Sequence, residues 1–157
     1  METADMLSGT ELQVIVFQLN GEEFAIEVSQ VKSIERMQPV TRVPGAVPFV
    51  RGVINLRGVI TPVIDLNTRF GSEGTHDEKQ AKIIIASNNG TEAGLIVDEA
   101  NDVLDIPADS VEPPPEVNGT ISAEYIKGIA RSGDRILVVL DLDKVLNPEE
   151  LKASARR

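Results

Sequence analysis

The side chains that most often carry out chemistry are scarce in this sequence. Its single histidine, His76, lies in a polar stretch, residues 71–79, that has the composition of a loop. An isolated imidazole in a loop lacks the neighbours that fix a general base or a metal ligand, so we interpret His76 as solvated. The chain has no cysteine, which excludes disulfides, thiolate metal sites and cysteine nucleophiles. The sequence therefore does not predict catalysis by a Ser-His-Asp or a cysteine-based arrangement.

Carboxylates are plentiful, but their spacing matches no metal site. The densest cluster consists of Asp98, Glu99, Asp102 and Asp105. An EF-hand loop needs oxygen ligands at alternating positions around a central glycine, which residues 98–109 lack. Asp65 and Asp141 each precede a leucine at a predicted strand end, where aspartate usually caps the next turn. With no glycine-rich phosphate loop either, we predict no catalytic residue, no metal site and no cofactor.

The most distinctive segment is residues 51–66, in which two Arg-Gly pairs interrupt an apolar stretch. Gly58 suits a tight turn, and Arg57 beside it would project from the tip of a hairpin. There Arg57 could pair with an acid of its own chain or anchor a partner protein. The sequence leaves these two roles open.

Composition and charge narrow the classes of partner. The chain has 157 residues, with 15 Lys and Arg against 25 Asp and Glu, which gives a net charge of −10. This is the composition of a globular protein of one domain or two small ones. An acidic chain repels nucleic acid and anionic lipid, and no apolar stretch or signal peptide predicts membrane insertion. We expect a cytoplasmic protein that is monomeric in isolation and has protein partners.

Short runs of valine and isoleucine bounded by turn residues predict β-strands. Asn20-Gly21 and Asn89-Gly90 each separate two such runs, and this dipeptide supplies the positive φ angles of a two-residue hairpin turn. The predicted strands are residues 12–19, 23–28, 31–36, 50–56, 59–65, 81–87, 93–97, 100–106, 126–131 and 135–141.

The two halves of the chain repeat one another. A shift of 69 places residues 14–16 on residues 83–85 and Asn20-Gly21 on Asn89-Gly90. A shift of 76 places residues 49–53 on residues 125–129. The difference of seven residues is an insertion between Val103 and Tyr125, a segment that contains three consecutive prolines. The chain is therefore predicted to be a duplicated unit.

We predict an all-β fold of two five-stranded β-barrels related by internal duplication, with short helical turns capped by Ser29 and Asp98. The first barrel would span residues 12–70 and the second residues 81–146. A disordered N terminus (1–11), a polar linker (71–80) and a helical C-terminal tail (147–157) complete the predicted organisation.

At these same motifs the sequence resembles the CheW family of bacterial chemotaxis, from about residue 13 to residue 146. Residues 21–26 are similar to the early hairpin of the family, residues 50–66 to its central signature, and residues 125–128 to its second half. The family fold is two SH3-like five-stranded barrels, which agrees with the duplication found in the sequence.

The resemblance implies a non-enzymatic adaptor. It would link the cytoplasmic tips of methyl-accepting chemoreceptors to the regulatory domain of the histidine kinase CheA, at membrane-associated receptor arrays. The residues implied for receptor contact are Val31, Ile34, Gly52, Arg57, Ala100 and Val103. Those implied for kinase contact are Val111, Glu112 and Val117.

The sequence is also compatible with two other functions. The chain could be the regulatory domain of a CheA-like kinase, although it has no phosphotransfer, dimerisation or ATP-binding region, and no receiver domain like that of CheV. It could also be a small enzymatic or ligand-binding barrel that uses its carboxylates. Among the implied contact residues, Val31, Ile34 and Val103 could be core residues, and Gly52 could serve only the backbone conformation.

Overall fold

The computed structural model describes residues 11–70, 80–113 and 123–147, which form two five-stranded β-sheets. Two one-turn α-helices, α1 (Leu66–Arg69) and α2 (Leu142–Val145), end the two halves of this described chain. Its strands are β1 (Glu11–Leu19), β2 (Glu22–Glu27), β3 (Val31–Arg36), β4 (Val50–Leu56), β5 (Val59–Asp65), β6 (Lys82–Asn88), β7 (Thr91–Val97), β8 (Glu99–Pro107), β9 (Ile126–Ser132) and β10 (Arg135–Leu140). The all-β prediction is confirmed, and every predicted strand lies within two residues of its observed bounds.

The two sheets exchange hairpins between the repeats. Sheet A has the strand order β9-β10-β2-β1-β8, and sheet B has the order β3-β6-β7-β5-β4. The first hairpin of each repeat thus joins the last three strands of the other repeat, through the parallel pairs β2–β10 and β5–β7. The predicted assignment of residues 12–70 and 81–146 to separate barrels is therefore wrong. Repeats present equivalent pairing edges, so a sequence repeat does not say whether strands pair within a copy or between copies.

A single bridge brings together the two edges of each sheet. In sheet B the chain beyond edge strand β3 reaches Thr41, whose backbone exchanges hydrogen bonds of 2.9 and 2.8 Å with Val53 on the opposite edge strand, β4. In sheet A the chain beyond β8 reaches Glu112, which exchanges bonds of 2.9 and 2.8 Å with Ile129 on β9. Both sheets thereby protect edges that would otherwise be open to unwanted pairing.

A glycine lies beside each of these bridges because the crossing backbone leaves no room for a side chain. A Cβ on Gly52 would lie 2.2 Å from the carbonyl oxygen of Thr41. A Cβ on Gly128, the repeat equivalent of Gly52, would lie 2.6 Å from the carbonyl oxygen of Glu112 and 2.5 Å from Cγ1 of Val111. Both glycines are buried. The repeat therefore preserves a close backbone approach at the same place in each sheet.

Three apolar clusters stabilise the fold. One is formed by residues of sheet A and one by residues of sheet B, and a third and larger one, the shared core, lies between the sheets and holds them together. Within the shared core a chain of rings, Phe17, Phe24, Phe70 and Tyr125, joins the two halves with centroid separations of 5.7, 5.9 and 5.6 Å. Burial of each such ring stabilises the fold by about 1.5–3 kcal/mol, so the interface between the sheets is itself a core.

Two aspartates cap the one-turn helices, as predicted. The side chain of Asp65 accepts hydrogen bonds from the backbone N–H groups of Asn67 and Thr68 at the start of α1. Asp141 accepts one from the N–H of Asp143 at the start of α2. These carboxylates are occupied with helix termini, which accounts for their equivalent positions in the repeat.

The predicted caps Ser29 and Asp98 are wrong. Ser29 lies inside the 3-10 turn Val28–Gln30, which has no side-chain cap. Asp98 instead accepts a hydrogen bond of 2.8 Å from the backbone N–H of Asn20, at the tip of the β1–β2 hairpin. The helical spacing predicted the turn in the first repeat, but Asp98 lies in a bend between β7 and β8 and not in a helical turn. Its hydrogen-bond partner comes from a distant hairpin.

Several predictions fall on segments that the structure does not describe. The N terminus (1–10), the linker with His76 (71–79), the loop with Val117 (114–122) and the C-terminal tail (148–157) lie outside the described residues. Glu11, which was assigned to the disordered N terminus, is instead the first residue of β1. No helix among the described residues is long and apolar enough to cross a membrane.

Candidate protein-binding surface

The tip of the β4–β5 hairpin holds an arginine in an unusual conformation. Arg57 has a φ of 53° and Gly58 a φ of 91°, and the Asn55 side chain accepts a 2.8 Å hydrogen bond from the N–H of Gly58. The other non-glycine residues with positive φ in the described chain are Asn20 and Asn89, a type that tolerates this region. An arginine there costs about 1 kcal/mol. A strained backbone conformation of this kind is often found at functional sites.

Arg57 pairs with an acid of its own chain and still faces solvent. Its Nη2 lies 3.0 Å from Oε2 of Glu35 on β3, while its side chain remains 70% exposed. Hydrogen bonds from Ser33 and then from Arg57 lower the pKa of Glu35 below its usual value. Of the two roles that the sequence left open for Arg57, pairing with an acid of its own chain is therefore the one observed. The exposed guanidinium can also reach a partner.

Two exposed isoleucines extend the shared core to the surface of sheet B. Ile34 pairs directly with Ile84, and Ile60 lies four residues before Ile64 on β5. Directly paired residues, and residues an even number apart on one strand, share a face of the sheet. Ile84 and Ile64 belong to the shared core, whereas Ile34 is 45% and Ile60 64% exposed. We call Ile34, Ile60 and Arg57 the B patch.

Sheet A has exposed apolar residues at the positions equivalent to Ile34 and Ile60. Val103 is the repeat equivalent of Ile34 and is 57% exposed, and Ile136 is the equivalent of Ile60 and is 61% exposed. Ile136 lies four residues before Leu140 of the shared core. We call Val103 and Ile136 the A patch. Arg135 precedes Ile136 on β10, so its side chain lies on the opposite face of the sheet. Each sheet therefore carries exposed apolar side chains at equivalent positions of the repeat.

Arg135 is held by two acids. Its Nε and Nη2 donate to the two carboxylate oxygens of Glu23 on β2 at 3.0 and 2.8 Å, and Nη2 also lies 3.1 Å from Asp102 on β8. The hydrogen bond from Arg135 lowers the pKa of Glu23 below its ordinary value of 4.5. This charged contact joins three strands of sheet A.

This contact predicts a loss of stability in acid. Because the pKa of Glu23 is lower in the folded state than in the unfolded state, its contribution is present above the ordinary value and is lost as the pH falls through the folded value. We expect the urea midpoint to fall between about pH 5 and pH 3, and to fall less in Glu23→Gln. Glu22→Gln, an exposed neighbour on the same strand, serves as the control. An identical acid response in Glu23→Gln and the wild-type protein would contradict the prediction.

The other residues implied for receptor contact differ in accessibility. Val31 and Ala100 are partly buried and pack against the shared core, so they lie at the junction of the sheets. Gly52 is buried, and the space in front of it is filled by the Thr41 carbonyl. The alternative that Gly52 serves the backbone is the one that the structure favours.

The residues implied for kinase contact lie at the bridge that joins the edges of sheet A. Val111 is partly buried against the apolar cluster inside sheet A, which leaves little of it for a partner. The Glu112 side chain is exposed, although its backbone is fixed by the bridge to Ile129. Among these residues, Glu112 is the one whose side chain is available.

The structure gives the enzymatic alternative little support. No group of three or more histidine or acidic side chains within the described ranges could hold a metal ion. A cleft of about 990 Å³ is formed by the β3–β4 connection and the first two residues of β4, Val50 and Arg51. Its charged lining residues are Arg42 and Arg51, and no carboxylate lines it. Acid–base chemistry by paired carboxylates therefore has no site in this cleft.

Ile60 and Ile136 were not predicted from the sequence as surface residues. A signal for them was present, because a shift of 76 superimposes Ile60 on Ile136. Their exposure could not be foreseen, since each lies near the start of an apolar strand most of whose later residues are buried.

Exposed apolar residues at equivalent positions of two sheets are typical of a protein that binds other proteins. The CheW-like domain family model matches residues 13–150. The chemotaxis protein CheW of Bacillus subtilis is 42% identical over 152 residues, covering 97% of this chain and 96% of that protein. The Klebsiella aerogenes CheW is 33% identical, covering 96% and 92%. The crystal structure of the scaffolding protein TtCheW from Thermoanaerobacter tengcongensis, 37% identical, matches with a TM-score of 0.79 over 85% of this chain and 90% of that one.

The chain belongs to the CheW family. It is therefore a scaffold protein of bacterial chemotaxis and not an enzyme. Neither the kinase-fragment alternative nor the enzymatic alternative is favoured by these comparisons.

Proposed function

We propose that this protein couples the cytoplasmic tip of a methyl-accepting chemoreceptor to the regulatory domain of the kinase CheA. The observation that carries the proposal is the presence of two exposed apolar patches, one on each sheet, at equivalent positions of the repeat. An adaptor has to hold two partners at once, and two separated patches on one rigid core meet that requirement. Recruitment to membrane-associated receptor arrays follows from the receptor contact.

The B patch is proposed to bind the receptor tip. A receptor tip is a helical hairpin, and a helix is recognised through apolar residues along one face that pack into an apolar surface. Ile34 and Ile60 supply that surface, and Arg57 at the strained hairpin tip supplies a charged anchor. Val31 and Ala100, which pack against the shared core at the junction of the sheets, extend the proposed contact, whereas Val103 lies on the A patch and outside it.

The kinase is proposed to bind sheet A. The exposed side chain of Glu112 lies at the bridge between its edges, and the Pro-rich segment with Val117 follows in the chain. Separate sheets for separate partners would allow simultaneous binding. The same arrangement would let each contact be removed without loss of the other.

Substitutions in the B patch should weaken receptor binding without unfolding the protein. Ile60→Asp places a charge at a position that faces solvent in the free protein but would be buried by a helix, and Arg57→Ala removes the anchor. We expect each to weaken binding of a receptor cytoplasmic fragment by about tenfold or more, as central interface residues do. Isothermal titration calorimetry gives the affinities, and thermal melts verify the fold.

Ile136→Asp is the matched control, since it makes the same change at the equivalent position of sheet A. It should leave receptor affinity at the wild-type value. Equal losses in Ile60→Asp and Ile136→Asp, or no loss in either, would rule out the B patch as the receptor surface.

A further inference from the structure

A buried arginine lies between the two sheets. Arg69 is the last residue of α1 and only 7% of it is exposed. The centre of its guanidinium lies 4.1 Å from the ring centroid of Phe49 and 4.8 Å from that of Tyr125. Cation–π contacts with little access to water are the stronger ones. Arg69 thus makes directional contacts with two aromatic rings at once.

The two rings belong to different sheets and are repeat equivalents. Phe49 directly precedes β4 of sheet B, and Tyr125 directly precedes β9 of sheet A. The carbonyl of Phe49 accepts a 2.9 Å hydrogen bond from the N–H of Asp65, and that of Tyr125 accepts one of 2.9 Å from Asp141. Arg69 is therefore placed where the two repeats meet.

The Arg69 guanidinium also binds the C-terminal end of α2, in the second repeat. Its Nη2 donates to the carbonyl of Lys144 at 2.7 Å, and its Nε donates to that of Val145 at 3.3 Å. These carbonyls end α2, which follows β10 of sheet A. The repeat equivalent of Arg69 is Val145 itself, which is apolar and fully buried. The repeat is not symmetric at this position, so the arginine contact across the junction is made from the first repeat alone.

We infer that Arg69 fixes the angle between the two sheets and thereby the relative position of the A and B patches. The shared core attracts the sheets without preference for direction, because apolar burial depends on area. Two cation–π contacts and two hydrogen bonds constrain direction, and a rigid guanidinium fork can make all four at once whereas a lysine cannot. The part of this inference that concerns partners rests on the proposed function.

The angle can be measured directly by spin labelling. The chain has no cysteine, so cysteines introduced at the exposed residues Arg36 on β3 and Asp105 on β8 are the only labelling sites. Electron–electron double resonance then reports the distance between sheet B and sheet A. We expect one narrow distribution for the reference protein, a shifted or broadened one for Arg69→Met, and an intermediate one for Arg69→Lys. Arg131→Met, an exposed arginine on β9, is the control and should change nothing.

A distribution in Arg69→Met like that of the reference protein would overturn the inference. If Arg69→Met does not fold, Arg69→Lys decides the question. It keeps the charge but cannot hold both carbonyls while stacked, so an unchanged distribution in it would overturn the inference as well.

The consequence for coupling has a separate test. Arg69→Met should bind a receptor fragment and a CheA regulatory-domain fragment individually as the wild-type protein does. It should show about three- to tenfold weaker binding of the second partner once the first is bound, the size of effect typical of coupling residues. Wild-type ternary affinity would refute this consequence. A wild-type protein that binds neither fragment would refute the proposed function instead, and the spin-label distances would still decide the role of Arg69.

Discussion

Replacing Gly52 by alanine is expected to cause a severe loss of stability. The new Cβ would lie 2.2 Å from the Thr41 carbonyl oxygen and 2.8 Å from Cγ1 of Val40. The contact with the oxygen cannot be relieved by a side-chain rotation, because this oxygen belongs to the backbone bridge between Thr41 and Val53. Overpacking of this kind costs about 1–3 kcal/mol and more where backbone must move. We expect a loss at or above about 3 kcal/mol in urea denaturation.

Gly90→Ala is the matched control. Gly90 also has a positive φ, 84°, but a Cβ there meets nothing within 4 Å. It should cost only the conformational strain, about 1 kcal/mol. Gly128→Ala should resemble Gly52→Ala, since its Cβ would lie 2.6 Å from the Glu112 carbonyl oxygen. Similar losses in Gly52→Ala and Gly90→Ala would show that the close approach at the bridge is not what requires glycine.

Separating the two repeats is expected to abolish folding of both. If the chain is cut between Phe70 and Gln80, neither fragment can complete a sheet, because sheet A takes β1 and β2 from the first repeat and sheet B takes β6 and β7 from the second. Each fragment also loses its share of the shared core. We expect each alone to show the amide chemical shifts of an unfolded chain, and an equimolar mixture to regain the dispersed spectrum of the intact protein.

The intact protein cleaved at one site in the same segment is the control, and it should keep its spectrum. Two fragments that each fold alone, with dispersed spectra and cooperative melting, would contradict the hairpin exchange. They would favour one barrel per repeat.

The strands could be predicted because their signals are local. Runs such as Ile83–Ile85 and turns such as Asn20-Gly21 carry their own conformational preference, and the observed φ angles of Asn20 and Gly21, 55° and 79°, are those of the predicted turn. The hairpin exchange could not be predicted, because equivalent strands of a repeat satisfy the same pairing in either copy. Local pattern determined the elements, and only tertiary packing distinguished the two ways of combining them.

The candidate site was predicted in part for a similar reason. Arg57 stood out because an arginine beside a turn glycine is unusual in an apolar segment. The sequence could not show whether Gly52 is a contact residue like Arg57, since a glycine required by a crossing backbone and a glycine required by a partner look alike in a sequence. Arg69 gave no signal, because its two rings lie 20 and 56 residues away in the chain.

An adaptor with a separate surface for each partner must bind both partners at the same time. The full chain is mixed with a receptor cytoplasmic fragment, with a CheA fragment that carries the regulatory domain, and with both, and the species are resolved by sedimentation velocity. We expect two binary complexes and a larger ternary complex that contains all three components. Displacement of one partner by the other, or binding to neither, would contradict the role of this protein as an adaptor with a separate surface for each partner.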